Sequence, residues 1–235
     1  VTSIRNVNKT DWNRLLGRQS TFDWDGLLFL EDSFCGREKP EHNWNFHYFI
    51  IRDENANTVL ATFFTHALWK DDLLAPASVS IMLEEKRKQE PYYLTSHVLS
   101  MGSLFTEGHH CYLDRSHPQW RLAISQMLDK VEKLDHKINA AMVVLRDFVN
   151  DGELNQLLHN HGFIRIDMPE SCIVEGLSWN DPEEYVRSLS ARSRRHFRND
   201  IQPYEEHFDV VYEKRVTEKR IDEFYNLYEN VRNNN

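Results

Sequence analysis

The chain has few cysteines, few glycines, no long apolar run and no excess of positive charge. Its three cysteines, Cys35, Cys111 and Cys172, lie far apart and form no CxxC pair. That argues against a disulfide framework and fits a reducing compartment, with the cytoplasm as the default. No stretch approaches the roughly 20 apolar residues that span a bilayer, so no membrane association is expected. The opening VTSIRNVNKTDW lacks the apolar core of a signal peptide, and Val1 in first place points to processing or a cut boundary. There is no glycine-rich nucleotide loop, no serine nucleophile elbow and no kinase signature. A formal charge of -9 argues against general nucleic-acid binding. Histidines number twelve, yet HExxH is missing. His109-His110 and His159-x-His161 have no matched carboxylate or cysteine set, so no metal cofactor is expected.

What is present is the composition of a globular protein, 40% apolar and 28% charged over 235 residues. Thr2 to Val7 reads as a short strand. Thr10 or Asp11 then caps a short helix through Leu16. Phe22, Leu27, Leu28, Leu30 and Phe34 suit a second helix closed by Gly36. Asn45 to Ile51 and Thr58 to Leu68, either side of DENAN, predict a β-hairpin. A short helix near Ile81 to Lys88 precedes a strand from His97 to Thr106, continued at Cys111 to Leu113. Ser116, Pro118 and Gln119 announce a helix, and Trp120, Ile124, Met127, Leu128, Val131 and Leu134 form its apolar stripe. The apolar run Ala140 to Leu145 reads as a strand covered on both faces. Asp151 caps the next helix, whose inner face is Leu154, Leu157 and Leu158, and Gly162 ends it. Phe163 to Ile166 and Ser171 to Leu177 predict two more strands. Asp181 and Glu184 form a further capping pair. This order predicts an α/β (α+β) fold with a mixed sheet and helices on both faces.

A basic block stands out against the acidic background. RSLSARSRRHFRND, from Arg187 to Asp200, carries Arg187, Arg192, Arg194, Arg195 and Arg198 and no acid before Asp200. In a helix, Arg187, Arg194, Arg195 and Arg198 share one face, and Ser190 can cap a helix start beside them. Phosphate or carboxylate would bind well there. The alternative is a solvated face whose arginines pair with Glu183, Glu184 and Asp200.

Several strings carry a family resemblance. FDWDGLLFLEDSFCG followed by HNWNFHYFIIRDENANTVLATFF resembles the opening of the peptidoglycan biosynthesis/recognition family related to the FemAB aminoacyltransferases. PYYLTSHVLSMGSLFTEG is similar to its central strand region, ELNQLLHNHGF to its late helix, and DPEEYVRSLSARSRRHFRNDI to its basic segment. The resemblance runs from about Val7 to Glu206. It implies a GNAT-like acyl-CoA N-acyltransferase fold, and related proteins carry two such halves in tandem. Residues 1–180 would then be a GNAT-like domain and 181–207 a basic helical connector. Residues 208–235 would be the first strand (Phe208 to Lys214) and first helix (Thr217 to Val231) of a second half. The apolar face Ile221, Phe224, Tyr225, Tyr228 and Val231 would need that half as a partner, or would pack back on its own domain.

The resemblance also implies a chemistry. An acyl or aminoacyl group would pass from a thioester or ester donor, such as acyl-CoA or an aminoacyl-tRNA, to an amine acceptor. Two central strands would splay between Ser100–Phe105 and Ala140–Leu145, and backbone N–H groups at Gly102, Ser103 and Leu104 would face the acyl oxygen. His109, His110 and Tyr112 lie where a general base could act; otherwise they are ordinary loop residues. Arg115, Arg192, Arg194, Arg195 and Arg198 would bind the anionic donor. The chain departs from the family pattern in two places. Where the pyrophosphate loop (Q/R)xxGx(G/A) is expected, it reads Arg115-Ser-His-Pro118-Gln-Trp120, which lacks both glycines. Where many relatives place a proton-donating tyrosine, it has Leu158. A catalytically silent substrate- or partner-binding domain, or an accessory part of a larger metabolic enzyme, therefore stands beside the acyltransferase reading.

Overall fold

The computed structural model describes residues 1–18, 22–148, 151–167, 176–213 and 215–234. It divides into two compact units, Val1–Asp167 and Met168–Asn235. The first is built on a mixed sheet, as the element order predicts. Strand β1 (Asn45–Arg52) pairs antiparallel with the long β2 (Thr58–Lys70). Strand β3 (Thr95–Met101) pairs antiparallel with one end of β2, and β4 (Cys111–Leu113) takes the same edge further along. Residues 102–110 therefore loop out between two collinear strand pieces. Strand β5 (Met142–Val144) pairs parallel with β3.

Alternation along these strands sends apolar side chains to two cores. On one face Phe46, Tyr48, Ala61 and Phe63 meet Trp12, Leu15 and Leu16, together with Leu27 and Leu30. These come from helices α1 (Lys9–Leu15) and α2 (Trp24–Phe34) and the residues beside them. On the other face Leu60, Phe64, Leu99 and Met101 meet the predicted stripe of α4 (Trp120–Ile138), joined by Leu154 of α5 (Gly152–Asn160). Asp151 caps α5 as expected, accepting from the N–H groups of Glu153 and Leu154. Helix α3 (Ala77–Arg87) starts earlier than expected.

Several local expectations fail for physical reasons. Thr2 to Val7 is not a strand; Ile4–Asn6 is a 3-10 turn. The buried Glu31 carboxylate causes this, accepting from Ile4 N–H at 2.6 Å and Ser3 Oγ at 2.7 Å. Only Val1 pairs as a strand residue would, exchanging both backbone bonds with Tyr48. Asn8, not Thr10 or Asp11, caps α1. Ser116 does not cap α4, because its hydroxyl is held by Asp114. The run Ala140 to Leu145 is not covered on both faces: β5 is the last strand of the sheet and Met142 is exposed. Phe163 to Ile166 forms no strand, and Ile164 and Ile166 are exposed. Of Ser171 to Leu177, residues 171–175 lie outside the described residues, and Gly176 and Leu177 are irregular.

The second unit holds α6 (Pro182–Ser188), α7 (Ala191–His196), a π-helical turn Phe197–Ile201, a 3-10 turn Gln202–His207 and α8 (Glu218–Asn234). Asp181 caps α6 by accepting from Glu184 N–H. Residues 208–213 form no strand, and Lys214 lies outside the described residues. The expected helix is α8, and its residues Ile221, Phe224, Tyr225, Tyr228 and Val231 remain exposed. Among the described residues no helix is long and apolar enough to cross a membrane.

Candidate functional site

The parallel strands β3 and β5 run together only as far as the pair Ser100–Val144. Beyond it the chain turns at Gly102, whose φ of 77° lies in the left-handed region. A Cβ there would sit 2.6 Å from His110 Cδ2 and Nε2, so the turn needs glycine twice over. Gly102 N–H donates to Phe63 O at 2.9 Å, and Ser103 N–H donates to Thr106 Oγ1 at 2.8 Å. Two of the three expected oxyanion donors are thus occupied. Leu104 N–H has no hydrogen-bond partner among the described residues.

His110 closes this loop. It is 1% exposed, with its ring beside Phe22 at 4.8 Å and edge-on to Phe63 at 5.7 Å. Its Nε2 lies 2.9 Å from Thr106 Oγ1. Its Nδ1 lies 3.1 Å from Asp147 Oδ2, yet off the hydrogen-bond axis, so the contact is one of proximity only. Arg146 ties the loop to the end of β5, donating from Nη1 to Ser103 O at 3.0 Å and from Nη2 to Thr106 O at 3.1 Å. Its Nε donates to Asp147 Oδ2 at 2.9 Å. Burial first, and the Arg146 guanidinium second, push the His110 pKa down to about 4, against the opposing pull of Asp147. The imidazole is therefore neutral at pH 7. A hydroxyl, an imidazole and a carboxylate side by side have the outline of a nucleophile triad. Thr106 is 1% exposed, however, so no substrate atom can reach its oxygen. The arrangement is a buried polar knot.

The other candidates are placed differently. His109 is exposed on the loop, and Tyr112 on β4 packs half-buried against the α1–α2 core. Cys111 has its thiol pushed up to about 12 by burial, which makes it a poor nucleophile. Arg115 stacks on Trp120 at 3.5 Å and pairs with Asp151 at 2.8 Å and Glu153 at 3.3 Å, so its charge is already matched. The segment 116–120 turns its donors inward. Ser116 N–H goes to Asp114 Oδ1, His117 N–H to Asp114 O, Gln119 N–H to His117 Nδ1 and Trp120 N–H to His117 O. Those four amides are unavailable to a phosphate.

Compared with protein-family models, curated proteins and solved structures, the chain matches none.

In the second unit, Ser190 caps α7 as expected, accepting from Ser193 N–H. Arg194 Nη1 donates to Arg187 O at 3.0 Å and to Leu189 O, which satisfies carbonyls at the end of α6. Arg192, Arg195 and Arg198 are exposed and make no ion pair among the described residues. Asp200 pairs with His196, and Glu184 accepts from Asn180, so these acids do not neutralise the arginines. Among the described residues no group of three or more His, Cys, Asp or Glu side chains could hold a metal ion. What the sequence reading missed is Arg146 and Asp147. Their only sequence signal is a charged pair directly after the apolar run.

Proposed function

We propose that the first unit is a GNAT-like, FemAB-related domain that binds a substrate or a partner domain within an N-acyltransferase-type protein, without carrying the acyl-transfer step. The observation that supports this reading is the knot around His110. Its amides at Gly102 and Ser103 already have acceptors, and its imidazole is both neutral and buried. An oxyanion site works by holding free donors toward the charge that develops. The inward-turned amides of residues 116–120 argue in the same direction for the donor's pyrophosphate.

A second reading keeps the transfer of an acyl or aminoacyl group to an amine on this unit. It is favoured by the end of the β3–β5 pairing at Ser100–Val144 and by the Leu104 amide, which has no hydrogen-bond partner among the described residues. Thermal shift with acetyl-CoA, longer acyl-CoAs and free CoA separates the two. An intact donor site would stabilise the protein by roughly 2.7 kcal/mol at a hundredfold excess over Kd. No shift with any of the three, and no CoA release in the presence of amines, is the outcome expected of the binding domain.

A further inference from the structure

Three histidines lie on the sheet beneath the end of α4. Alternation puts His47 of β1, His66 of β2 and His97 of β3 on the face that also carries Phe64 and Leu99, the face covered by α4. The His66 and His97 rings lie 5.1 Å apart. Asp135, one turn after the buried Val131 of α4, acts on His66 electrostatically. His66 Nε2 and Asp135 Oδ1 are both shut off from solvent, and neither has a hydrogen-bond partner among the described residues. Buried polar atoms nearly always find partners, so two orphans on facing elements mark this spot.

The charges around His66 are one-sided. His47 faces it from β1 and His97 from β3, and α4 contributes Asp135. Lys137 and the amino group of Val1 act on His47, while His136 turns to Glu132 on the exposed side of the helix. Full protonation would set three imidazolium ions and Lys137 against one carboxylate. Burial first, and His97 second, hold the His66 pKa below the ordinary imidazole range, against the pull of Asp135. Burial first, and His66 second, push His47 down to about 4. Both rings are therefore neutral at pH 7.

We propose that this cluster is an acid-sensitive latch, in which protonation of His66 releases the last turn of α4 from the sheet. An open arrangement, where the ring meets water, takes up a proton more readily than the closed one. Falling pH therefore shifts the balance toward open. The hold is complete above about 6.5 and is lost progressively below it. Two backbone bonds carry the effect onward. Asn139 N–H donates to Asp135 O at 2.7 Å, and Ala141 N–H donates to His97 O at 2.8 Å. The turn from α4 to β5 thus hangs on two residues that flank His66, and β5 leads to Arg146 and the His110 loop. The latch is independent of the acyl-transfer reading.

The test is amide hydrogen exchange of the full chain at pH 7.5 and 5.5, with the intrinsic pH dependence of exchange divided out. Opening at Asn139 and Ala141 should rise about tenfold at pH 5.5, the gain from one histidine that regains an ordinary pKa on opening. His66→Gln, which cannot take the proton, should abolish that rise, and His110→Gln should keep it. No rise at either amide overturns the proposal. So does a rise at Ile124, early in α4, in step with Asn139, because the event would then be global unfolding. Slower exchange at pH 5.5 also overturns it, since acid would be forging a His66–Asp135 ion pair. A rise that persists in His66→Gln assigns the switch to another group and overturns it too. If His66→Gln fails to fold, the titration of the His66 ring followed by NMR in the unmutated protein decides. A midpoint at or above 6.5 sinks the latch, and one below 6.5 together with the rise at Asn139 supports it.

Discussion

Gly102→Ala is the sharpest probe of the knot at the end of β3. Two costs add at this position. A non-glycine residue at φ 77° pays roughly 1–2 kcal/mol for the left-handed conformation. The new methyl would also lie 2.6 Å from His110 Cδ2 and Nε2, and that ring is confined by Phe22, Phe63 and Thr106. Overpacking of this kind costs roughly 1–3 kcal/mol, so the total is about 2–5 kcal/mol. With a urea slope at the upper end for a chain of this size, about 3 kcal/mol per molar, the unfolding midpoint should fall by about 0.7–1.7 M. Gly36→Ala is the control, since Gly36 has φ 65° but nothing within 4 Å of its would-be Cβ. It should cost only the backbone part. Combining Gly102→Ala with His110→Ala should cost less than the two single changes added, because the ring struck by the methyl is gone. Equal destabilisation by Gly102→Ala and Gly36→Ala would refute the reasoning, as it would mean that the His110 ring yields freely.

The neutral state of His110 has a pH signature. Its folded pKa of about 4 lies below its ordinary 6.5, so its contribution is complete above 6.5 and lost as pH falls through 4. Urea midpoints at pH 7.5 and 4.5 should differ more in the unmutated protein than in His110→Gln, and an equal drop in both would contradict the assignment. Glu31 accepts from Ser3 Oγ, Ile4 N–H and Tyr48 Oη, so Glu31→Ala strands buried donors and should cost roughly 2–4 kcal/mol, read by calorimetry. Arg194→Gln should lower the helix content seen by circular dichroism, because it frees carbonyls at the end of α6, whereas Arg195→Gln should not. Equal effects would mean that the Arg194 contacts hold nothing.

Much of the architecture was legible because it is local. The α4 stripe repeats every three to four residues, and Trp120, Ile124, Met127, Leu128 and Val131 are all buried. The hairpin follows from two β-rich runs around DENAN. Caps at Asp151, Asp181 and Ser190 join a side chain to an amide two or three residues on, so the spacing alone reveals them. Capping was misread where a competing acceptor lay nearby. Ser116 turns to Asp114, two residues back, and α4 begins without a side-chain cap.

The candidate site was much less legible, because its chemistry depends on partners far along the chain. Ser3 and Ile4 look like strand residues until Glu31, 27 to 28 positions away, takes their donors. Gly102, Ser103 and Leu104 read as one run of donors, yet Phe63 and Thr106 engage the first two and leave the third. Arg146 reaches Ser103 across 43 positions and, after burial itself, is the main influence lowering the His110 pKa. Arg115 matched the expected anion-binding position by sequence, and the acids at the start of α5 neutralise it. The sequence by itself determined the α/β character, the helix periods, the hairpin and the caps, since these follow from φ/ψ preference and short-range hydrogen bonds. Only the tertiary structure decided which amides stay free, which histidine is neutral and which cations lack a partner. Those properties are set by burial and by the charge or acceptor that folding brings within about 3–4 Å.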